Sequence, residues 1–259
     1  FHNVYRSQNF FKKIYNKELS RVDHIVAISN FVKSKIISTY KVNEGNISVI
    51  NRGIDIKFFD PKIDDENNFI NFLKKYNLSS ERKIILYPGR LTEWKGQINF
   101  LKIIESYKDN QIICYFVGDD KNQSYASKLI DKINKKGIRK NCKILGHLSK
   151  ENLKMMYKCA DLVISAPLTP EGFGRTISES LAMKKIILSY DYGGAKEQLN
   201  ELNDIYKTSP HNNLEMKNKI EQIFTLSQSY KDKLGFISRE HVIKNFAKEN
   251  MIQNYFNFY

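Results

Sequence analysis

From residue 82 onward the chain alternates short apolar, β-branched runs with longer amphipathic stretches. The runs fall at 84–87, 112–117, 143–145, 162–165 and 186–189, each of strand length. Between them, 97–107, 125–136, 152–158 and 176–183 place apolar residues at helical spacing. Several of these stretches have Ser or Asp near the start, where a side-chain oxygen caps the first turn. The alternation predicts βαβ units, and right-handed crossovers would assemble them into a parallel, doubly wound sheet. An earlier unit reads as a strand at 24–28, Ser29 as an N-cap, a helix at 31–40 and a strand at 47–50. Asn51-Arg52-Gly53 then breaks the pattern, and 51–62 reads as a hinge. The first fifty residues hold too few strands for an α/β domain of their own, so an upstream portion is expected. At the other end Ile252, Tyr255, Phe256 and Tyr259 are spaced i, i+3, i+4 and i+7, which predicts one aromatic helical face needing a surface to pack on.

Composition narrows the class. A chain of 259 residues with 41% hydrophobic content can bury a core. No run approaches the roughly eighteen apolar residues of a spanning helix. The chain starts at Phe1 without an initiator Met or a basic-then-apolar leader, and is read as a cytoplasmic fragment. Three cysteines without Cys-x-x-Cys spacing suggest neither a disulfide framework nor a zinc site. The net charge of +14 suits phosphate in a nucleotide, a nucleic acid or an anionic membrane, and cannot choose among them. The lysines are scattered rather than massed, which fits solvated surface equally well.

Two junctions could carry chemistry. Pro170-Glu171-Gly172-Phe173-Gly174-Arg175-Thr176-Ile177-Ser178-Glu179 leads from one predicted strand into a helix. Gly172 and Gly174 let backbone N–H groups approach an anion closely, and the helix N-terminus adds partial positive charge. Glu171 and Glu179 could accept hydrogen bonds from sugar hydroxyls on either side of a diphosphate, since a carboxylate offers only acceptors. The bland alternative is a helix carrying two solvated glutamates. The dinucleotide fingerprint fails because Ile177 stands at its third glycine, and there is no P-loop. The second junction is Tyr87-Pro88-Gly89-Arg90-Leu91-Thr92-Glu93-Trp94-Lys95-Gly96. Arg90 and Lys95 there could clamp a phosphate and offset the charge of a departing nucleoside diphosphate; the alternative is a surface turn. Asp119-Asp120 is read as the cap of the next helix rather than a metal motif, and His24, His147, His211 and His241 show no ligand spacing.

Taken in order, Gly89-Arg90-Leu91 with Lys95-Gly96, Glu171-Gly172-Phe173-Gly174 through Glu179, and Gly193-Gly194-Ala195-Lys196-Glu197 resemble the family-4 retaining glycosyltransferases of the GT-B fold. Val22 to Ser29 and Val49 to Asp55 match the same family before and across its interdomain hinge. The resemblance implies an α/β fold of GT-B type. It would hold one complete Rossmann-like domain over 63–240, a remnant of the N-terminal, acceptor-binding domain over 1–50, a hinge at 51–62, and a C-terminal helix at 241–259 crossing back.

It further implies that Arg90 and Lys95, with Gly89, bind the donor diphosphate. Glu171 would contact donor-sugar hydroxyls, Glu179 the ribose, and backbone groups of Gly172, Phe173 and Gly174 the rest of the cradle. Gly118 and Leu145 stand where the family holds the base. His2, in Phe1-His2-Asn3, resembles the family's His-Gly turn, with Asn3 in place of Gly, and would reach the sugar. The implied donor is a UDP- or GDP-linked sugar with no separate cofactor and no metal. The implied acceptor is a glycan or lipid-linked molecule of lipopolysaccharide or capsular polysaccharide assembly, worked on in the bacterial cytoplasm or peripherally at the inner membrane. Nucleic acid is not an expected partner, and a homodimer through the aromatic last helix is. The competing expectation is a nucleotide-sugar-binding fragment without turnover.

Overall fold

The computed structural model describes residues 1, 14, 18, 22–62, 65–78, 81–107, 111–119 and 124–259. His2 and Asp120, both singled out above, lie outside them.

Two parallel sheets form. The smaller pairs β1 (Ile25–Ala27) with β2 (Ile47–Val49), Ile25 opposite Ile47, and α1 (Asn30–Tyr40) crosses between them. Ser29 caps α1 as expected, its hydroxyl accepting from the Val32 amide at 3.1 Å. After α2 (Glu66–Tyr76) comes the larger sheet: β3 (Lys83–Pro88), β4 (Ile112–Val117), β5 (Cys142–Gly146), β6 (Leu162–Ser165), β7 (Ile187–Tyr190) and β8 (Lys207–Thr208). The strand order is β5-β4-β3-β6-β7-β8, and every pair is parallel. The crossovers are α3 (Gln97–Ile104), α4 (Ser124–Lys135), α5 (Lys150–Cys159), α6 (Arg175–Ala182) and α7 (Gly193–Leu199). The remaining helices are α8 (Asn213–Thr225), α9 (Gln228–Phe246) and α10 (Lys248–Phe258).

The inner strands are apolar without alternation because helices cover both sheet faces, so every residue of β4 and β6 is buried. Tyr87, Phe100, Tyr115, Phe116 and Tyr157 are among the largest fully buried side chains. Register then sets the position of the site. Ile85 pairs with Leu162 and Pro88 with Val117, so β3, β4 and β6 end at one level. The chain builds outward from β3 through β4 to β5, then returns to lay β6 on the other side of β3. Ligands bind open α/β sheets in the crevice beyond the strand ends at such a reversal.

The segment after β2 is strapped to the larger unit. Ile54 exchanges backbone bonds with Phe246 (2.8 Å) and Lys248 (2.9 Å), where α9 gives way to α10. Arg239 of α9 donates to the carbonyls of Phe59 (2.7 Å), Ile56 (3.2 Å) and Ala182 and to the Asp60 carboxylate at 2.7 Å. One guanidinium thus ties 56–60 to the end of α6. The aromatic face expected of the last helix is turned differently. Ile252, Phe256 and Tyr259 are exposed, whereas Met251 accepts from the Gly53 amide and Phe258 stacks near His24 at 4.9 Å. The packing face is therefore the neighbouring one. Among the described residues no helix is long and apolar enough to cross a membrane.

Replacing Arg239 with Met leaves those carbonyls and Asp60 without their donor in a partly buried setting. The expected loss is about 2–4 kcal/mol of unfolding free energy, read as a lower urea midpoint.

Candidate functional site

The loops leaving β3 and β6 meet at the reversal. Lys95 closes a short 3₁₀ turn (Glu93–Lys95), and its ammonium pairs with the Glu171 carboxylate from the loop after β6. Both side chains are largely withdrawn from water, 13% and 14% exposed. Lys95 Nζ also lies 4.7 Å from the centroid of Trp94, and Arg90 approaches the same ring at 5.9 Å. The indole thus contacts both cations that the sequence suggests for a phosphate.

Buried polar groups shape both loops. Tyr87 donates its hydroxyl to the Lys95 carbonyl at 2.5 Å and accepts from the Ala166 amide at 3.3 Å, locking one loop to the other. Gln97, fully buried, donates to the Arg90 carbonyl at 2.9 Å. Across the cleft, Gly174 opens α6 without a side-chain cap, so its first amides remain available to an anion. Gly193 and Gly194 pass directly under the Glu171 loop: a Cβ on Gly194 would collide with the Gly172 carbonyl and with Phe173. The Gly194 amide donates to the Glu171 carbonyl at 2.9 Å, and Gln198 donates to the Phe173 carbonyl. Phe173 is buried edge-on against Phe246 at 5.7 Å.

Glu179 is not a solvated glutamate. It is only 7% exposed, its Oε1 lies 3.0 Å from Arg175 Nη2, and its Oε2 accepts from the Tyr157 hydroxyl at 3.0 Å. Burial pushes its carboxyl above the usual range, opposed by Arg175, Tyr157 and Lys95.

The smaller sheet reaches the same loop. Ser29 donates to the Gly172 carbonyl at 2.5 Å, and Glu197 accepts from the Asn30 amide (2.8 Å) and the Phe31 amide (2.5 Å) at the start of α1. A carboxylate is favoured at that helix end.

The structure therefore brings Gly89, Arg90, Lys95, Glu171, Gly172, Phe173, Gly174 and Glu179 together on the loops and helix that follow β3 and β6. Gly118 follows β4 directly, and a Cβ there would strike the Gly89 carbonyl, so the glycine lets the β3 and β4 ends close together. Leu145 lies on the edge strand β5, separated from β3 by β4. Asp119 accepts from the Leu91 amide at 2.9 Å through its carbonyl. Tyr157, Gln97, Gln198, Ser29 and Arg175 carry contacts that sequence did not assign to the site. Only Ser29 announced itself, as a cap. The three cysteines are free. Among the described residues no group of His, Cys, Asp and Glu could hold a metal ion.

Residues 68–248 match the family Glycosyl transferases group 1, and residues 1–58 match Glycosyltransferase Family 4. The chain belongs to the glycosyl transferases group 1 family, and its fold is that of the GT-B glycosyltransferases. An uncharacterized glycosyltransferase of Methanocaldococcus jannaschii is 27% identical over 237 residues, covering 89% of this chain and 56% of that protein. The lipopolysaccharide 1,2-N-acetylglucosaminetransferase of Salmonella typhimurium is 23% identical over 194 residues, covering 71% and 50%. The chain thus spans about half the length of these curated relatives. A glycosyltransferase of Rickettsia africae superposes with TM-score 0.88 at 33% identity, covering 100% of this chain and 68% of that one. Anabaena HepE, solved in complex with UDP and glucose, shares the fold at TM-score 0.87 and 20% identity, covering 100% and 69%.

Glu179 gives a pH signature of known sign. Its folded pKa lies above the ordinary 4.5, so its contribution to stability is full below that value and is lost as pH rises through the folded pKa. The melting temperature of the wild type relative to Glu179→Gln should fall from pH 4.5 toward neutrality and then level off. A difference that grows with pH contradicts the burial assigned here.

Proposed function

We propose that this chain is the donor-binding part of a retaining glycosyltransferase that moves a sugar from a UDP- or GDP-linked donor to a glycan or lipid-linked acceptor. The observation that carries the reading is the Lys95–Glu171 pair, held between strand-end loops at the point where the strand order reverses. A diphosphate entering there takes Lys95 and Arg90 as counter-ions, freeing the Glu171 carboxylate to accept from donor-sugar hydroxyls. The α6 amides and the Gly172–Gly174 backbone complete the cradle, and Glu179 takes the ribose. As the sugar–phosphate bond breaks, negative charge grows on the leaving phosphate, and two fixed cations stabilise it most at that moment. The leaving phosphate then helps remove the acceptor proton in a front-face displacement, so the reading needs no protein nucleophile and no metal.

The proposed organisation is a donor domain over 63–240, the hinge at 51–62 bound by Arg239, an acceptor-side unit over 1–50 and a returning C-terminal segment at 241–259. Lipopolysaccharide or envelope polysaccharide assembly is favoured by the Salmonella relative's name, with the enzyme in the cytoplasm or peripheral to the inner membrane. The exposed Ile252, Phe256 and Tyr259 are the proposed dimer or membrane contact.

Lys95 and Glu171 neutralise each other in the structure, so their variants should diverge. In the complete protein, Lys95→Ala should weaken nucleoside diphosphate binding by about tenfold or more. Glu171→Gln should leave that binding intact or tighter while transfer falls at least about a hundredfold. Unchanged transfer by Glu171→Gln would sink the site assignment. Tight donor binding with no sugar release at any enzyme concentration, with acceptor present, would leave a binding function only.

A further inference from the structure

Glu179 is the one carboxylate of the site removed almost completely from water, and its surroundings are built in a particular way. Its two oxygens are engaged from two helices. Arg175, one turn earlier on α6, reaches Oε1 at 3.0 Å, and Tyr157 of α5 donates to Oε2 at 3.0 Å. Tyr157 is fully buried, with its ring edge-on to Phe59 at 6.1 Å, so its hydroxyl is fixed in direction. Arg175 is 51% exposed. An ionised carboxylate has about four acceptor positions, two on each oxygen. One protein donor on each oxygen leaves each able to accept one bond more. Two neighbouring acceptors about 2.2 Å apart, the spacing of any carboxylate, suit the two adjacent hydroxyls of a ribose, which donate side by side.

We infer that Arg175 and Tyr157 are positioning residues for the ribose of the donor, holding the Glu179 carboxylate so that one acceptor on each oxygen points to the 2′- and 3′-hydroxyls. This rests on the reading that Glu179 receives the ribose. Neither residue touches the sugar being transferred, and both act through Glu179. Arg175 has a second effect, on charge. Burial alone favours the neutral acid, which would turn one acceptor oxygen into a donor. The groups opposing it are Arg175 on the same helix, Tyr157 from α5 and Lys95 from the loop after β3. Arg175 is the largest of the three, and Lys95 is already paired with Glu171. Removing it leaves Glu179 prone to take up a proton as pH falls.

The test uses the complete chain and its single tryptophan, Trp94, which stands against Lys95 and reports ligand binding by fluorescence. The probes are UDP, GDP and their 2′,3′-dideoxy analogues, titrated from pH 8 to pH 5.5. At pH 8 wild type should bind the better nucleotide about tenfold more tightly than its dideoxy analogue, the scale of lost hydrogen bonds to a charged group, and its own change on acidification is the reference for the variants. Arg175→Met should bind nucleotide about tenfold more weakly at pH 7, lose further affinity as pH falls, and no longer distinguish the dideoxy analogue. Arg175→Lys should restore most of the affinity and the wild-type pH profile. Tyr157→Phe should narrow the preference for the ribonucleotide while keeping the pH profile close to that of wild type. If the wild type binds ribo and dideoxy nucleotides equally, or binds neither nucleotide, the ribose reading itself is overturned. If the wild type prefers the ribonucleotide and Arg175→Met keeps both that preference and the wild-type pH profile, the positioning role alone is overturned.

Discussion

The ion pair between Lys95 and Glu171 joins the two loops that the strand reversal brings together, and the rest of the site is arranged around it. A pair so little exposed is not chiefly a device for stability, because withdrawing two charges from water offsets most of their attraction. In the proposed function its worth lies in what each partner can do when the other is taken. A phosphate can replace Glu171 at Lys95, and a sugar hydroxyl can replace Lys95 at Glu171. The pair keeps a cation and an acceptor beside each other, and in the proposed function a ligand carrying both kinds of group separates them. Parallel pairing of β3 with both β4 and β6 is what makes this placement possible, since it ends three strands at one level.

The Glu171 loop is held from below and from the side. Gly193 and Gly194 bring α7 against its backbone, and Gln198 and the Gly194 amide bind its carbonyls. From the smaller sheet, Ser29 donates to Gly172 while Glu197 caps α1. The same few residues therefore shape the loop and join the two units, so a shift of α1 relative to α7 is felt one residue from Glu171. Arg239 performs the corresponding task on the other side, fixing 56–60 to the end of the helix that carries Glu179.

Much of this was legible in the chain. The strands 112–117 and 162–165 were read to the residue because central parallel strands are continuous apolar runs with no polar face to blur their ends. Glycine-rich junctions after strands marked both loops. What escaped has physical causes. The edge strand β8 is two residues long and has no apolar run, and α9 turns Leu234 and Val242 inward yet Phe236 and Ile237 outward, which blurs its period. The last helix packs through Met251 and Phe258 rather than its most aromatic stripe, because the groove it meets is set by Gly53 and His24. Gln97, Tyr157, Gln198 and Arg239 act through partners that sequence spacing does not bring near, and no local pattern reveals a buried polar group's distant partner.

In the proposed function the loops after β3 and β6, joined by Lys95 and Glu171, receive a nucleoside diphosphate sugar. Thermal unfolding of the chain with UDP-, GDP- and ADP-linked sugars tests it most directly, because a ligand that binds only the folded state raises the melting temperature. The account predicts that one nucleotide class raises it by several degrees at about a hundred times its dissociation constant, and that the rise disappears in a Lys95→Ala, Arg90→Ala double variant. No rise with any of the three sugars, or an undiminished rise in the double variant, would contradict it.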